Sequence, residues 1–341
     1  MSARSGILAA GNWIVDKLKV IDTYPQQDAL ANIISESVGN GGSPFNVLVN
    51  LARLKASFPL AGIGLVGDDA DGDWIRAQCE TQGIDAAGLK VMKGRHTSYT
   101  DVMTVQSTGR RTFFHQRGVN AFLDNEHFDF KASSAKIFHL GYLLLLDQLD
   151  AADPEFGTVA AGVLARATEA GFKTSIDVVS EDSDRFARVV LPALRHVDIC
   201  VINEFEAERT TGITIRGDGS LNFDALLQAS YQLLEAGVRE LVIIHFPEGA
   251  TALDRGGNFH RQGSLQLPQS EIVGSVGAGD AFAAGALLAL HEDAGIDEAL
   301  RYGVCAAAAC LSHIGTSDGM KPLTDCLKLA DKFGFRSLPA R

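Results

Sequence analysis

The sequence predicts an α/β fold, a doubly wound and mostly parallel sheet with a small inserted β lid. Three observations support it. Strand-like and helix-like segments alternate through most of the chain, the pattern of a parallel sheet with helices on both faces. Two stretches break that alternation with period-two runs parted by turn residues, which read as extra strands. No linker, internal repeat or low-complexity run divides the 341 residues. One domain over residues 1–341 is therefore expected, with the lid inserted at about 17–38 and 90–118.

Taken in order, "SGILAAGNWIVD" opens the chain as a buried strand. A signal peptide would show a longer unbroken apolar stretch and a cleavage site. "KLKVIDTYP" and "ANIISESVG" form the first part of the lid. "SPFNVLVNLARLKA" has apolar residues at helical spacing. "PLAGIGLV" is a short buried strand, and "DGDWIRAQCETQG" a helix stopped by Gly83. "KVMKGRHTSYTDVMTVQSTGRRTFFHQRG" completes the lid, turning at Ser107-Thr108-Gly109, and all lid strands are expected to be antiparallel. "AKIFHLGYLLL" precedes a helix placed between Pro154 and Gly171. "FKTSIDVV", "VDICVIN" and "RELVIIHF" follow as strands, interleaved with helical "DRFARVVLPALRH", "EFEAERTTG" and "DALLQASYQLLEAG". The tail from Lys321 reads as a last helix and a loose end.

Thirty basic against 42 acidic residues leave a formal charge of −12. That argues against a nucleic-acid surface and against docking on anionic lipid. No run approaches the roughly 18 apolar residues of a membrane span. Five cysteines (79, 200, 305, 310 and 326) are scattered, odd in number and free of C-x-x-C spacing. They read as buried thiols in a reducing compartment, so a cytoplasmic protein is expected.

Two motifs mislead. Gly62 to Gly67 matches G-x-G-x-x-G, but Ile63, Leu65 and Val66 continue the strand and an acidic turn follows. A dinucleotide site needs the strand to end before the first glycine. Asp69, Asp71, Asp73 and Glu80 imitate a calcium loop, but Trp74 stands where glycine must turn the chain. A helix start capped by Asp73 is the expected reading.

The informative stretch is "GSVGAGD", residues 274–280, followed at once by an apolar helical run. A glycine loop entering a helix leaves backbone N–H groups unpaired, and the helix dipole adds positive charge. The product is an anion hole suited to phosphate. Asp280 would repel a resident phosphate. It makes sense beside one in transit, where it accepts the proton of an attacking hydroxyl. Alone, these residues also fit an ordinary loop with Asp280 as a dipole partner. "NGGSPFN", residues 40–46, is a second glycine turn before a helix. "NEFE", residues 203–206, follows a strand directly, at the end where open α/β sheets bind ligands. Asn203 and Glu206 could hold water around a phosphate-bound metal; singly they also read as a cap and a surface glutamate. Asp16 closes the first strand and faces the inserted sheet.

"GGSPFN", "GIGLVGDDADG", "NEFE" and "GSVGAGDAFAAG", in this order, resemble the ribokinase-type (PfkB) sugar kinase family over roughly residues 6–325. The resemblance implies a ribokinase-like fold with a β lid, and ATP with Mg²⁺. By position, Asp280 looks like the catalytic base and Gly277, Ala278 and Gly279 like its anion hole. Asp16, Gly41, Gly42 and Asn46 look like the sugar contacts. Asn203 and Glu206 look like the element near phosphates and metal, Glu206 acting through water. The loop from Phe246 to Gly249 and the helix from Tyr302 to Gly315 should flank the nucleotide.

Three departures stand out. Gly274-Ser275 replaces the family's Asp-Thr, which puts potassium activation in doubt. Ile244 to Gly249 lacks the usual T-x-G-x-x-G, with a bulky Phe246 in it. Val304 stands where some relatives carry an adenine-side Asn. The implied activity is an ATP-dependent kinase of a small sugar or sugar acid, leaning toward fructokinase. A non-catalytic sensor and a nucleoside kinase are the alternatives. Tyr99, Arg111, His115, Arg117 and Asn120 are candidate specificity residues, and exposed lid edges suggest a homodimer.

Overall fold

The computed structural model describes residues 4–339. Its strands and helices run β1 (Ile7–Gly11), β2 (Ile14–Ile21), β3 (Ile33–Gly41), α1 (Ser43–Arg53), β4 (Leu60–Gly67), α2 (Ala70–Gln82) and β5 (Asp85–Met92). Then come β6 (Ser98–Val105), β7 (Arg111–Gln116), β8 (Ile137–Leu143), the short pair β9 (Ala152–Asp153) and β10 (Gly157–Thr158), and α3 (Val159–Glu169). β11 (Lys173–Val178), α4 (Phe186–Leu194), β12 (Ile199–Asn203) and α5 (Glu204–Thr211) follow, with the short pair β13 (Arg216–Gly217) and β14 (Ser220–Leu221). The chain closes with α6 (Phe223–Ala236), β15 (Leu241–Phe246), β16 (Gly249–Asp254), β17 (Phe259–Gly263), α7 (Ala278–His291), α8 (Ile296–Cys310) and α9 (Leu323–Phe333).

The main sheet has the order β17-β16-β15-β12-β11-β8-β1-β4-β5. Pairing is parallel from β5 across to β15, and antiparallel only at the β15-β16-β17 edge. Alternate residues of β1 feed two cores. Ile7 and Ala9 pack with α1, α7 and α8, whereas Leu8 and Ala10 pack with α3, α4 and α6. This is the doubly wound arrangement expected, with helices on both faces.

The lid is a four-stranded sheet, β3-β2-β6-β7. It departs from the expected boundaries. The first twelve-residue strand is two strands, and its second half, with Asp16, already belongs to the lid. Asp16 sits inside that sheet, paired with Gly39 and Thr100. Residues 85–92 lie in the main sheet beside β4. They alternate because an edge strand has one half-exposed face. β2 and β6 pair in parallel, not antiparallel, since a long excursion through the main domain separates them.

Local details also differ. Asp69, not Asp73, caps α2: Oδ1 accepts from the Gly72 N–H at 3.0 Å and from the Thr97 hydroxyl at 2.6 Å. The helix expected from Pro154 starts at Val159, capped by Thr158. The tail is not loose throughout, because Phe335 bridges to Leu265 and the Arg336 N–H donates to Ser264 O. All five cysteines are buried and free. Among the described residues no helix is long and apolar enough to cross a membrane.

Candidate active site

β1 lies between β4 and β8, so the chain winds away from it in both directions. The crevice at the carboxyl ends of β1 and β8 is where such sheets take ligands. Asn12 pins it. Its backbone N–H donates to Gly141 O at 3.0 Å, its Oδ1 accepts from the Tyr142 N–H at 2.6 Å, and its Nδ2 donates to Leu145 O at 2.9 Å. Gly11 allows this approach, since a Cβ there would lie 1.6 Å from Gly141 O.

A cavity of about 420 Å³ opens above the crevice. It gathers Asp16 from the lid, Gly42 and Asn46 from the start of α1, Asn203 and Glu206 from the end of β12 and start of α5, and Gly277, Gly279 and Asp280 from the start of α7. Residues more than 200 positions apart therefore share one wall. Gly41 is not on the wall but makes it possible: a Cβ there would press within 2.4 Å of the Asp16 carboxylate.

Asp280 is buried in the first turn of α7. The Tyr142 hydroxyl lies 2.7 Å from its Oδ1 and 2.8 Å from its Oδ2, and Asn46 Nδ2 donates to Oδ2 at 2.7 Å. Asn46 is itself oriented by Asn40, whose Nδ2 donates to Asn46 Oδ1 at 2.6 Å. Burial, with the nearby Asp177 charge, pushes the Asp280 carboxyl up to about 7 despite those two hydrogen bonds. That suits a general base near neutral pH. Burial, then the Asp280 charge, raises Asp16 to about 8. Burial raises Glu206 to about 8. Its oxygens accept from Ser180 Oγ at 2.7 Å, Asn203 Nδ2 at 2.8 Å and the Asn203 N–H at 2.9 Å, a capping box that fixes the strand-to-helix corner.

Sequence reasoning missed Tyr142 and Asp177. Both stand at the carboxyl ends of their strands, β8 and β11, and line the cavity. The rule that places ligands at strand ends could have found them. Asp177 is held by Ser43 Oγ, which donates at 2.6 Å, and by His139 Nε2 at 3.3 Å. Of the five lid candidates, His115 lines the cavity, as does Phe113 beside it. Arg117 pairs with Asp147 at 3.0 Å, Asn120 Nδ2 donates to Trp13 O, and the Tyr99 ring lies under Lys17. Arg111 reaches the Gly274 loop.

The α7 amino terminus supplies donors. Gly277 caps it with φ 75°, and a Cβ there would meet Thr316 O at 2.6 Å. Among the described residues, the N–H groups of Gly277, Gly279 and Asp280 have no acceptor, and that of Ala278 reaches Ser275 O only at 3.4 Å. A second cavity, about 370 Å³, lies across this loop. Phe246, Gly249, Ser275, Ala278, Phe282, Val304 and Arg336 line it. Phe246 packs edge-on against Phe223, with ring centres 6.0 Å apart, and the cavity stays open. Gly279 and His245 line both cavities. Gly315 lines neither; it lies beyond the end of α8, against the Asp318 carboxylate.

The chain is similar to known proteins over most of its length. The pattern of the family described as "pfkB family carbohydrate kinase" matches residues 13–323. The chain is 27% identical over 311 residues to the ATP-dependent ribose-1-phosphate kinase of Halopiger xanaduensis, covering 91% of this chain and 93% of that one. It is 28% identical over 306 residues to probable fructokinase-6, chloroplastic, of Arabidopsis thaliana, covering 85% and 74%. The solved structure of Arabidopsis thaliana ribokinase complexed with ribose and ATP is similar at a TM-score of 0.76 and 23% identity, over 96% of this chain and 98% of that one.

Proposed function

The chain belongs to the pfkB family of carbohydrate kinases, and from that membership we propose that it moves the γ-phosphoryl group of Mg-ATP onto a hydroxyl of a small uncharged sugar, a ketose such as fructose. One observation carries the reading: Asp280 and the free N–H groups of its loop stand where an acceptor-sized cavity and a donor-sized cavity meet. Asp280 takes the proton of the hydroxyl held by Asp16 and Asn46. The free N–H groups stabilise charge on the phosphoryl in flight. Closure of the lid keeps out water, the competing acceptor. Mg²⁺ would screen the phosphates; among the described residues no three ligating side chains converge to cage a metal. It fits a site where phosphates and water supply most ligands and Glu206 helps through its water shell, as Mg²⁺ prefers.

The acceptor wall carries Asp16, Asp177, Glu206 and Asp280, and no lysine or arginine. Burial and the Arg117 charge push His115 down to about 4, so it is neutral. A sugar acid would find no cation there to receive its carboxylate. Phe113, Leu145, Val178 and Val179 offer apolar faces that would also accept a nucleoside base. ADP release from Mg-ATP, measured over ketoses, aldoses, sugar acids and nucleosides, tests this. A neutral ketose should lead, with sugar acids at least about tenfold lower in kcat/KM. Potassium should have no effect, given Gly274-Ser275. A sugar acid or nucleoside that leads the panel would overturn the substrate class.

A homodimer through the lid completes the proposal. Ile33, Ile34 and Val38 are exposed on the edge strand β3, an apolar edge that a second copy would cover. Sedimentation equilibrium should give twice the chain mass; a monomer at micromolar concentration would refute it. The unpaired thiols fit a cytoplasmic setting, and a disulfide in protein isolated from its own cells would count against that placement.

A further inference from the structure

His245 is the last but one residue of β15, level with Asn203 of β12. It lines both cavities, so its ring stands at the passage between them. The passage is narrow there. A Cβ on Gly279 would lie 3.3 Å from His245 Cε1 and 3.6 Å from Nε2, so this ring edge faces the loop with the free N–H groups. The other contact is apolar: the Phe282 ring lies 5.0 Å away at 32°. Among the described residues, no hydrogen bond or ion pair engages the imidazole. A half-buried imidazole that lacks a partner beside an anion hole is poised for a ligand.

We propose that His245 is a phosphoryl-binding residue, donating an N–H to the group that passes between the two cavities. The inference rests on the kinase reading above. In the transfer, a bond forms between the acceptor oxygen and the γ-phosphorus. The bond from that phosphorus to the bridging oxygen breaks, and its electron pair leaves on ADP. The acceptor proton goes to Asp280. His245 keeps its proton throughout and donates to a non-bridging oxygen, adding a side-chain donor to the backbone donors of Gly277, Gly279 and Asp280. Burial pushes the imidazole down to about 4. It is therefore neutral at working pH and does not suppress the basicity of Asp280. At this position the chain has gained a donor where it lacks the usual threonine-glycine loop.

The test compares the affinity for Mg-ADP with that for Mg-ADP plus beryllium fluoride, a mimic of the γ-phosphoryl group. Calorimetry on wild type, His245→Leu and His245→Gln reads both. Leucine keeps the packing on Phe282 and removes the donor; glutamine restores an N–H. In His245→Leu the Mg-ADP affinity should stay within about twofold, and the gain on adding fluoride should fall about tenfold or more, the scale of a hydrogen bond to a charged group. His245→Gln should recover part of it. An undiminished gain in the leucine variant overturns the proposal alone. A wild type that binds no Mg-ADP overturns the kinase reading and this one with it. Wild-type protein labelled with ¹⁵N-histidine gives a readout independent of how variants fold. One ring-nitrogen pair besides that of His115 should move when fluoride joins Mg-ADP, and no such movement overturns the proposal.

Discussion

Asp280→Asn should lose about 10²-fold or more in kcat, the scale of a missing general base, and should melt a few degrees above wild type. The amide has the shape of the carboxylate it replaces. Its oxygen can accept from Asn46 Nδ2, and its NH₂ can donate to the Tyr142 hydroxyl, which lies within 2.8 Å of both present oxygens. The fold therefore loses nothing it can feel. It gains relief. Because the folded protein holds Asp280 above its ordinary value, near 7, the native state binds this proton more tightly than the unfolded chain does. The resulting penalty is absent below about pH 4, grows as pH rises, and is complete above about 7. Asparagine removes it, by an amount on the order of a few kcal/mol, worth a few degrees in a chain of this size. The same ionisation should shape activity. Wild-type kcat/KM should climb with pH and level off above about 7, and the residual rate of the variant should lack that step. Turnover within tenfold of wild type, or a variant that melts lower at pH 8, would remove Asp280 from the role of strained base.

Trp13→Ala should destabilise the chain by about 3–5 kcal/mol, the usual cost of deleting a large buried aromatic ring. Trp13 is fully buried. Its Nε1 donates to Ile63 O at 2.9 Å, and its ring lies 5.2 Å from Phe45. The ring also explains the glycines of residues 62–67. A Cβ on Gly62 would sit 2.4 Å from it, and one on Gly64 2.2 Å. The dinucleotide-like spacing is thus a smooth strand on which an indole lies flat. Alanine would leave a cavity and an unpaired Ile63 carbonyl. Chemical denaturation should show the loss. Because Trp13 directly precedes lid strand β2, KM for the sugar should rise more than KM for ATP. A change below 1 kcal/mol would mean that the two glycines simply collapse onto the gap.

Much of this was legible in the sequence because it is local. The βα alternation is carried by each segment's own periodicity, and the glycine loop with Asp280 by seven consecutive residues. Pairing was not legible. A period of two says that a strand has two unlike faces, not which neighbour it joins. So residues 90–92 read as lid while belonging to the main sheet, and residues 14–16 read as the end of the first strand while belonging to the lid. The same limit hid Tyr142 and Asp177. Each is one polar residue at the end of an apolar strand, and it acquires meaning only when Asp280 arrives from more than 100 residues away. His245 was visible as a departure in its loop, but the gap between two cavities that it faces exists only in the fold.

Only Asn12 and Trp13 separate β1 from β2. Asn12 grips the base of the crevice through three hydrogen bonds, Trp13 is locked in the core, and three residues later Asp16 faces the cavity from above. Floor and roof are thus successive links of one short lever with its fulcrum buried. Such a lid cannot slide aside as a separate plate. At this connection the lid is hinged on the indole, so for the proposed kinase any opening here would bend the same few backbone bonds that shape the cavity beneath.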